Sequence, residues 1–135
     1  MKLRKYQVVA LTTIIWFIFI IFLSHQDGTE TALASQRFMK LFWFLKEDQL
    51  EIVSGWTRKC AHIFCFMVLT VLLTETLRLL KMRIGSGVAT ICLLCFLDEW
   101  TKQCVPGRHY STLDVMLNLL GVLIGWEVFR IIKDR

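Results

Sequence analysis

IGSGVATICLLCFLDEWTKQ, residues Ile84–Gln103, decides between a soluble helix and a membrane span. As a helix its apolar part, Ile84 to Leu97, rises only about 21 Å at 1.5 Å per residue, while a bilayer's hydrocarbon core is about 30 Å thick. A span must therefore run on through Asp98 and Glu99 to near Gln103, with both carboxylates inside the membrane. Ionisable groups in lipid are expensive; where they occur they are paired, face a cavity and mark function. Three further stretches favour the span: Tyr6 to Leu23, Cys60 to Leu80, and about Leu113 to Ile132. Each approaches the roughly 20 apolar residues that a crossing helix needs.

Composition agrees. The 135 residues have room for one domain, 1–135, and 56% of them are hydrophobic. A mean hydropathy of +0.56 is high for a soluble protein of this size. The single proline, Pro106, falls between the last two segments and interrupts neither. The expectation is an all-α, four-helix transmembrane bundle with helices at about 6–23, 60–80, 84–103 and 113–132. Lys2, Arg4 and Lys5 before the first segment, with Ala32-Leu33-Ala34 after it, imitate a signal peptide. That apolar run is longer than the usual h-region of about 7–15 residues, and the Ala-x-Ala lies too far beyond it, so a retained helix is expected.

Basic residues in short loops set orientation. Lys2, Arg4 and Lys5, then Arg78, Lys81 and Arg83, then Arg130, Lys133 and Arg135 share one side by alternation. The other side carries most of the acids, including Asp27, Glu30, Glu47, Asp48 and Glu51. Both termini are therefore expected to be cytoplasmic. The pI of about 9.1 then reflects cytoplasmic anchoring, and no nucleic acid is needed to explain it. In the long outer loop, Phe38, Leu41, Phe42 and Leu45 recur at helical spacing within Ser35–Lys46. That pattern fits a short interfacial helix at the headgroup level, or equally a loop helix packed over the bundle.

On this reading the ends of the spans gather polar groups on the outer face. His25, His62 and His109 all lie there, with Arg58, Lys59, Asp98, Glu99, Gln103, Arg108, Asp114 and Asn118. If the fourth helix starts at Leu113, Asp114 and Asn118 lie within its first turns. At 100° per residue they share one face with Gly121 and Gly125, an inward and close-packing stripe. The Gly-x-x-x-Gly pair also fits a dimer seam, although Asp114 and Asn118 on the same face favour packing within the bundle.

The motifs resemble the VanZ-like family over nearly the whole chain. They are Ser24-x-Gln26 after the first helix, Lys59-x-x-His62 opening the second and Asp98-Glu99-x-x-x-Gln103 closing the third. Pro106-Gly107-Arg108 and Ser111-x-x-Asp114-x-x-x-Asn118-x-x-Gly121 follow. His25 stands where the family pattern has a small residue. The resemblance implies a multi-pass protein of the bacterial plasma membrane linked to lowered sensitivity to teicoplanin, a lipoglycopeptide that targets cell-wall precursors.

The cluster's chemistry suits an anion. Arg and Lys beside a histidine hold a phosphate, the guanidinium by paired bonds. A histidine, with an ordinary pKa of about 6.5, transfers protons or attacks as a nucleophile once an acid orients it. His62, Asp98, Glu99 and Asp114 are thus the candidate catalytic groups. Arg58, Lys59, Gln103, Arg108, Tyr110, Ser111, Asn118, Ser24 and Gln26 are the candidate binding groups. The expected partner is a membrane lipid or a lipid-linked cell-envelope precursor. Alternatives are a membrane-embedded lipid phosphate hydrolase or transferase, a small solute transporter, or a charge network that merely locks helix ends together. Arg108-His109-Tyr110-Ser111 with Asp114 is similar to the last motif of membrane phosphatidic acid phosphatases. The His-to-Asp spacing differs, and that family's other motifs are absent from this sequence. His62, Asp98, Glu99 and His109 could ligate zinc. Nothing like H-E-x-x-H is present, and Arg58 and Lys59 would repel a cation, so neither a metal nor another cofactor is expected. Cys92 and Cys95 read as packing residues, whereas Cys60 and Cys104 could pair if the helix ends touch.

Overall fold

The structure, a computed structural model, describes residues 4–25, 33, 37 and 47–134. Four long helices run through them: α1 (Lys5–Ser24), α2 (Glu47–Leu79), α3 (Ile84–Lys102) and α4 (Thr112–Lys133). All four are long and apolar enough to cross a membrane, α2 over Ile52–Leu79. No strand occurs among the described residues. The segment expected to form an interfacial helix, Ser35–Lys46, lies outside the described residues apart from Arg37.

The helix order is the expected one, with one boundary to correct. The second helix does not open near Cys60 but at Glu47, and its 33 residues rise about 50 Å. Hydropathy locates the stretch that lipid can hold, not the helix that carries it. Glu47, Asp48 and Glu51 look like loop residues, yet acids suit the positive N-terminal end of a helix. Because 50 Å exceeds the roughly 30 Å core, the first turns of α2 project beyond the hydrocarbon. Arg58 and Lys59 therefore sit well inside a helix.

α2 and α4 run side by side in the same direction, since His62 meets Asn118 near one end and Met67 meets Gly125 deeper in. The glycines make this approach possible. A Cβ on Gly125 would stand 2.5 Å from the Met67 carbonyl oxygen, and one on Gly121 would stand 3.2 Å from Ile63 Cα. The stripe thus packs within the bundle. α1 and α3 run the opposite way. Trp16 of α1 donates its indole N–H to the Cys65 carbonyl at 3.0 Å, and Thr13 and Thr76 hydroxyls meet at 3.0 Å. Ile20, Phe66, Leu69, Ile91, Cys95 and Val122 form the core. Outward, Ile18, Phe22, Leu93, Met116 and Leu123 are exposed on every side. A water-soluble surface does not carry so continuous an apolar belt; lipid covers one.

The two ends of the bundle differ. At the basic end, where α1 starts and α2 finishes, Glu75 is held by Arg78 and lies 4.0 Å from Lys5. The opposite end carries the candidate site. Between them Thr70 and Thr74 are fully buried, their hydroxyls donating to Phe66 and Thr70 carbonyls in their own helix. Such bonds satisfy polar groups where no water reaches.

Candidate functional site

Each helix delivers one part of the site end. α3 brings Asp98, Glu99 and Lys102, spaced so that the lysine lies one turn beyond both acids. Glu99 and Lys102 are essentially inaccessible, at 0% and 1% exposure. The Lys102 ammonium contacts Glu99 Oε1 and lies 3.2 Å from Asp98 Oδ2. The backbone N–H of Ser111 donates to Glu99 Oε2 at 3.3 Å, tying the loop before α4 to the end of α3. Ser111 is also the N-cap of α4, its hydroxyl accepting from the Asp114 N–H at 3.2 Å. This capping bond satisfies one of the helix's orphan donors and fixes Asp114 in the first turn.

His62 of α2 lies between two α4 side chains. Its Nδ1 is 2.9 Å from Asn118 Oδ1, and its Nε2 is 3.7 Å from Asp114 Oδ2. An amide oxygen only accepts, so with Asn118 oriented this way Nδ1 carries the proton. A second proton, on Nε2, would face the Asp114 carboxylate. The ring is thus held on one side and confronted by an acid on the other, the arrangement a general base or nucleophile needs.

Beside the ring, between α1 and α2, lies a cavity of about 210 Å³, several times the roughly 30 Å³ share of one water. Its polar end carries Ser24, Arg58, His62, Asp98 and Arg108. Two buried side-chain atoms at this end of the molecule have no hydrogen-bond partner among the described residues: Ser24 Oγ and Asn118 Nδ2. The amide nitrogen can only donate, and the hydroxyl can donate. A buried donor left unmade is destabilising by about 1–3 kcal/mol.

The expected site residues thus divide. His62, Asp98, Glu99, Ser111, Asp114 and Asn118 form one connected network, with Ser24, Arg58 and Arg108 at the adjoining cavity. Lys59 instead lies over the Trp56 ring, 5.1 Å from its centroid. Gln103 is the exposed C-cap of α3, and His109 and Tyr110 are exposed on the loop. Gln26 lies outside the described residues. His25 bridges helices, its Nε2 lying 3.1 Å from the Thr101 hydroxyl oxygen. All five cysteines are free thiols, including exposed Cys60 and Cys104.

Sequence reasoning missed Lys102, the cation at the centre. Its signal was its place one turn after two membrane-depth acids, a spacing that pairs charges on a helix. His62, Asp98 and Glu99 each offer a ligand atom within 4.8 Å of the others, as a metal site would. The Lys102 ammonium already pairs with both carboxylates.

Fold and site together define a class: a small multi-pass membrane bundle whose spans end in a buried, hydrogen-bonded charge network. The chain belongs to the VanZ/LLP1 family, which it matches over residues 9–133. No curated protein and no solved structure matches it.

Proposed function

We propose that the protein sits in the bacterial plasma membrane with both termini cytoplasmic and its polar end in the outer leaflet. There it engages the anionic group of a lipid or lipid-linked cell-envelope precursor, and so lowers sensitivity to teicoplanin. One observation carries the reading. Ser24, whose buried hydroxyl has no partner among the described residues, lines the same cavity as Arg58, Arg108 and His62, and the one acid on that wall, Asp98, is paired with Lys102. Donors and guanidiniums converging on one space suit a phosphate-type acceptor. Native mass spectrometry of the gently extracted protein should find a co-purifying anionic lipid that is lost from an Arg58→Ala, Ser24→Ala variant. Equal recovery of the anionic lipid from both proteins, or only neutral lipid on wild type, would overturn the reading.

A second reading, a lipid phosphate hydrolase or transferase, draws on the suspension of His62 between Asp114 and Asn118. Solute transport draws on nothing comparable. Below the site the buried Thr70 and Thr74 hydroxyls are committed to their own helix.

A further inference from the structure

The cavity beside His62 does not end at its polar groups. Below Ser24 and Arg58 it continues between α1 and α2 along Ile20, Leu23, Ala61, Cys65 and Phe66. Ala61 is exposed on α2, and Leu23 stands half-buried on the α1 wall. The cleft is therefore charged and hydrogen-bonding at its head, apolar along its length, and bordered by exposed Ala61, within the stretch of α2 apolar enough to cross a membrane. A second cavity lies across Ile20, between α1 and α3, and also reaches Asp98. Its polar end holds Asp98, His25 and Thr101, with the last two bonded to each other and neither Arg58 nor Arg108 on its wall. The two cavities are not equivalent: an anion is matched only by the first.

We infer that the α1–α2 cleft seats the hydrocarbon chain of a single-chain phosphate amphiphile, which enters laterally from the membrane with its phosphate toward Arg58, Arg108 and Ser24. The inference rests on the anionic reading of the pocket and adds the rest of the ligand. A chain that already lies in lipid gains little hydrophobic free energy by moving into an apolar cleft. What the cleft supplies is shape and direction: it delivers the phosphate to the guanidiniums without passing a charge through hydrocarbon. Ala61 and Leu23 then act as specificity-determining residues, because their size sets the width available to the chain.

The test compares dodecyl phosphate with methyl phosphate, each binding the full chain in neutral maltoside detergent. Both should bind wild type. Ala61→Phe places a ring in the cleft from an exposed position where folding should tolerate it. It should weaken dodecyl phosphate about ten-fold or more, the scale of overpacking converted to affinity, while leaving methyl phosphate almost unchanged. Leu23→Phe, from the opposite wall, should do the same. If both variants bind the two phosphates as wild type does, or weaken both equally, the cleft does not hold the chain. If wild type binds neither phosphate, the anionic reading of the pocket fails, and the chain site with it.

Discussion

At the scale of single residues, the site is governed by a charge balance that one lysine closes. Asp98, Glu99 and Lys102 side chains are at most 8% exposed, two acids against one ammonium. Removing one partner of a buried ion pair is destabilising by about 3–5 kcal/mol, because the remaining charge has neither water nor a counter-ion. Lys102→Met should therefore lower the unfolding free energy by about that amount in denaturant titrations of the detergent-solubilised protein. Adding Asp98→Asn and Glu99→Gln should restore most of the loss; no recovery in the triple variant would show that Lys102 acts by packing alone. The ring of His62 separates holding from chemistry. His62→Gln keeps a hydrogen-bonding side chain but cannot move protons near neutral pH. A binding pocket should lose only about 1–2 kcal/mol of ligand affinity, one hydrogen bond's worth. An acid–base catalyst should lose about 10²–10⁴-fold in rate. Teicoplanin protection near wild type in that variant would sink the catalytic reading and leave the binding one. Lys102 itself was hard to read from sequence. A lysine at the end of a span ordinarily snorkels to the interface. This one is instead buried against Asp98 and Glu99, which the loop before α4 ties down through the Ser111 N–H on Glu99.

At the scale of elements, α2 and α4 are the closely packed pair of the molecule. Gly121 and Gly125 let the helices approach until side chains at either position would meet α2 backbone. Backbone cannot rotate aside as a side chain can, so Gly125→Leu should separate the two helices and carry Asn118 away from His62. We expect that variant to lose both thermal stability and ligand binding while its oligomeric state stays the same. A change of oligomeric state with an unaltered melting curve would instead place a dimer seam on this stripe. The spans themselves were legible in sequence because the demand for about 20 apolar residues is nearly composition alone. The inward stripe of α4 was legible because helical periodicity aligns Asp114, Asn118, Gly121 and Gly125. The start of α2 was not, since helix continuity outside lipid leaves no trace in hydropathy. The place of Ser24 was legible only through the family resemblance; physically it is the packing of α1 against α2 that brings it to the cavity of Arg58 and His62. Lys59 is placed by a neighbour that its spacing does not reveal. Its spacing from His62 is right for contact, yet Trp56 one turn earlier offers its ring face to the ammonium.

At the scale of the whole molecule, the question is which leaflet holds the site. Four spans return the chain to the side on which α1 begins, so one measurement of sidedness fixes every loop. Arg78, Lys81 and Arg83 crowd the tight connection between α2 and α3, the short kind of loop whose Lys/Arg content governs insertion. On the other side of the sequence's alternation seven Lys/Arg face eight acids. The site end also carries exposed Trp56 and Trp100, whose amphipathic rings suit the membrane–water interface. Tyr6 and Trp126 lie toward the basic end, so aromatic rings mark both interfaces, and the charge bias alone directs the axis. Single cysteines in a cysteine-free background test this with an impermeant thiol reagent on intact cells. Gln103→Cys and Arg83→Cys are suitable reporters, because both positions are exposed and neither belongs to the buried network. Gln103→Cys should label from outside, and Arg83→Cys only after the cells are opened. The reverse pattern would move the site to the cytoplasmic leaflet. A phosphate pocket there could still bind a lipid, but it would no longer face the surface on which teicoplanin acts, and the resistance reading would fall with the orientation.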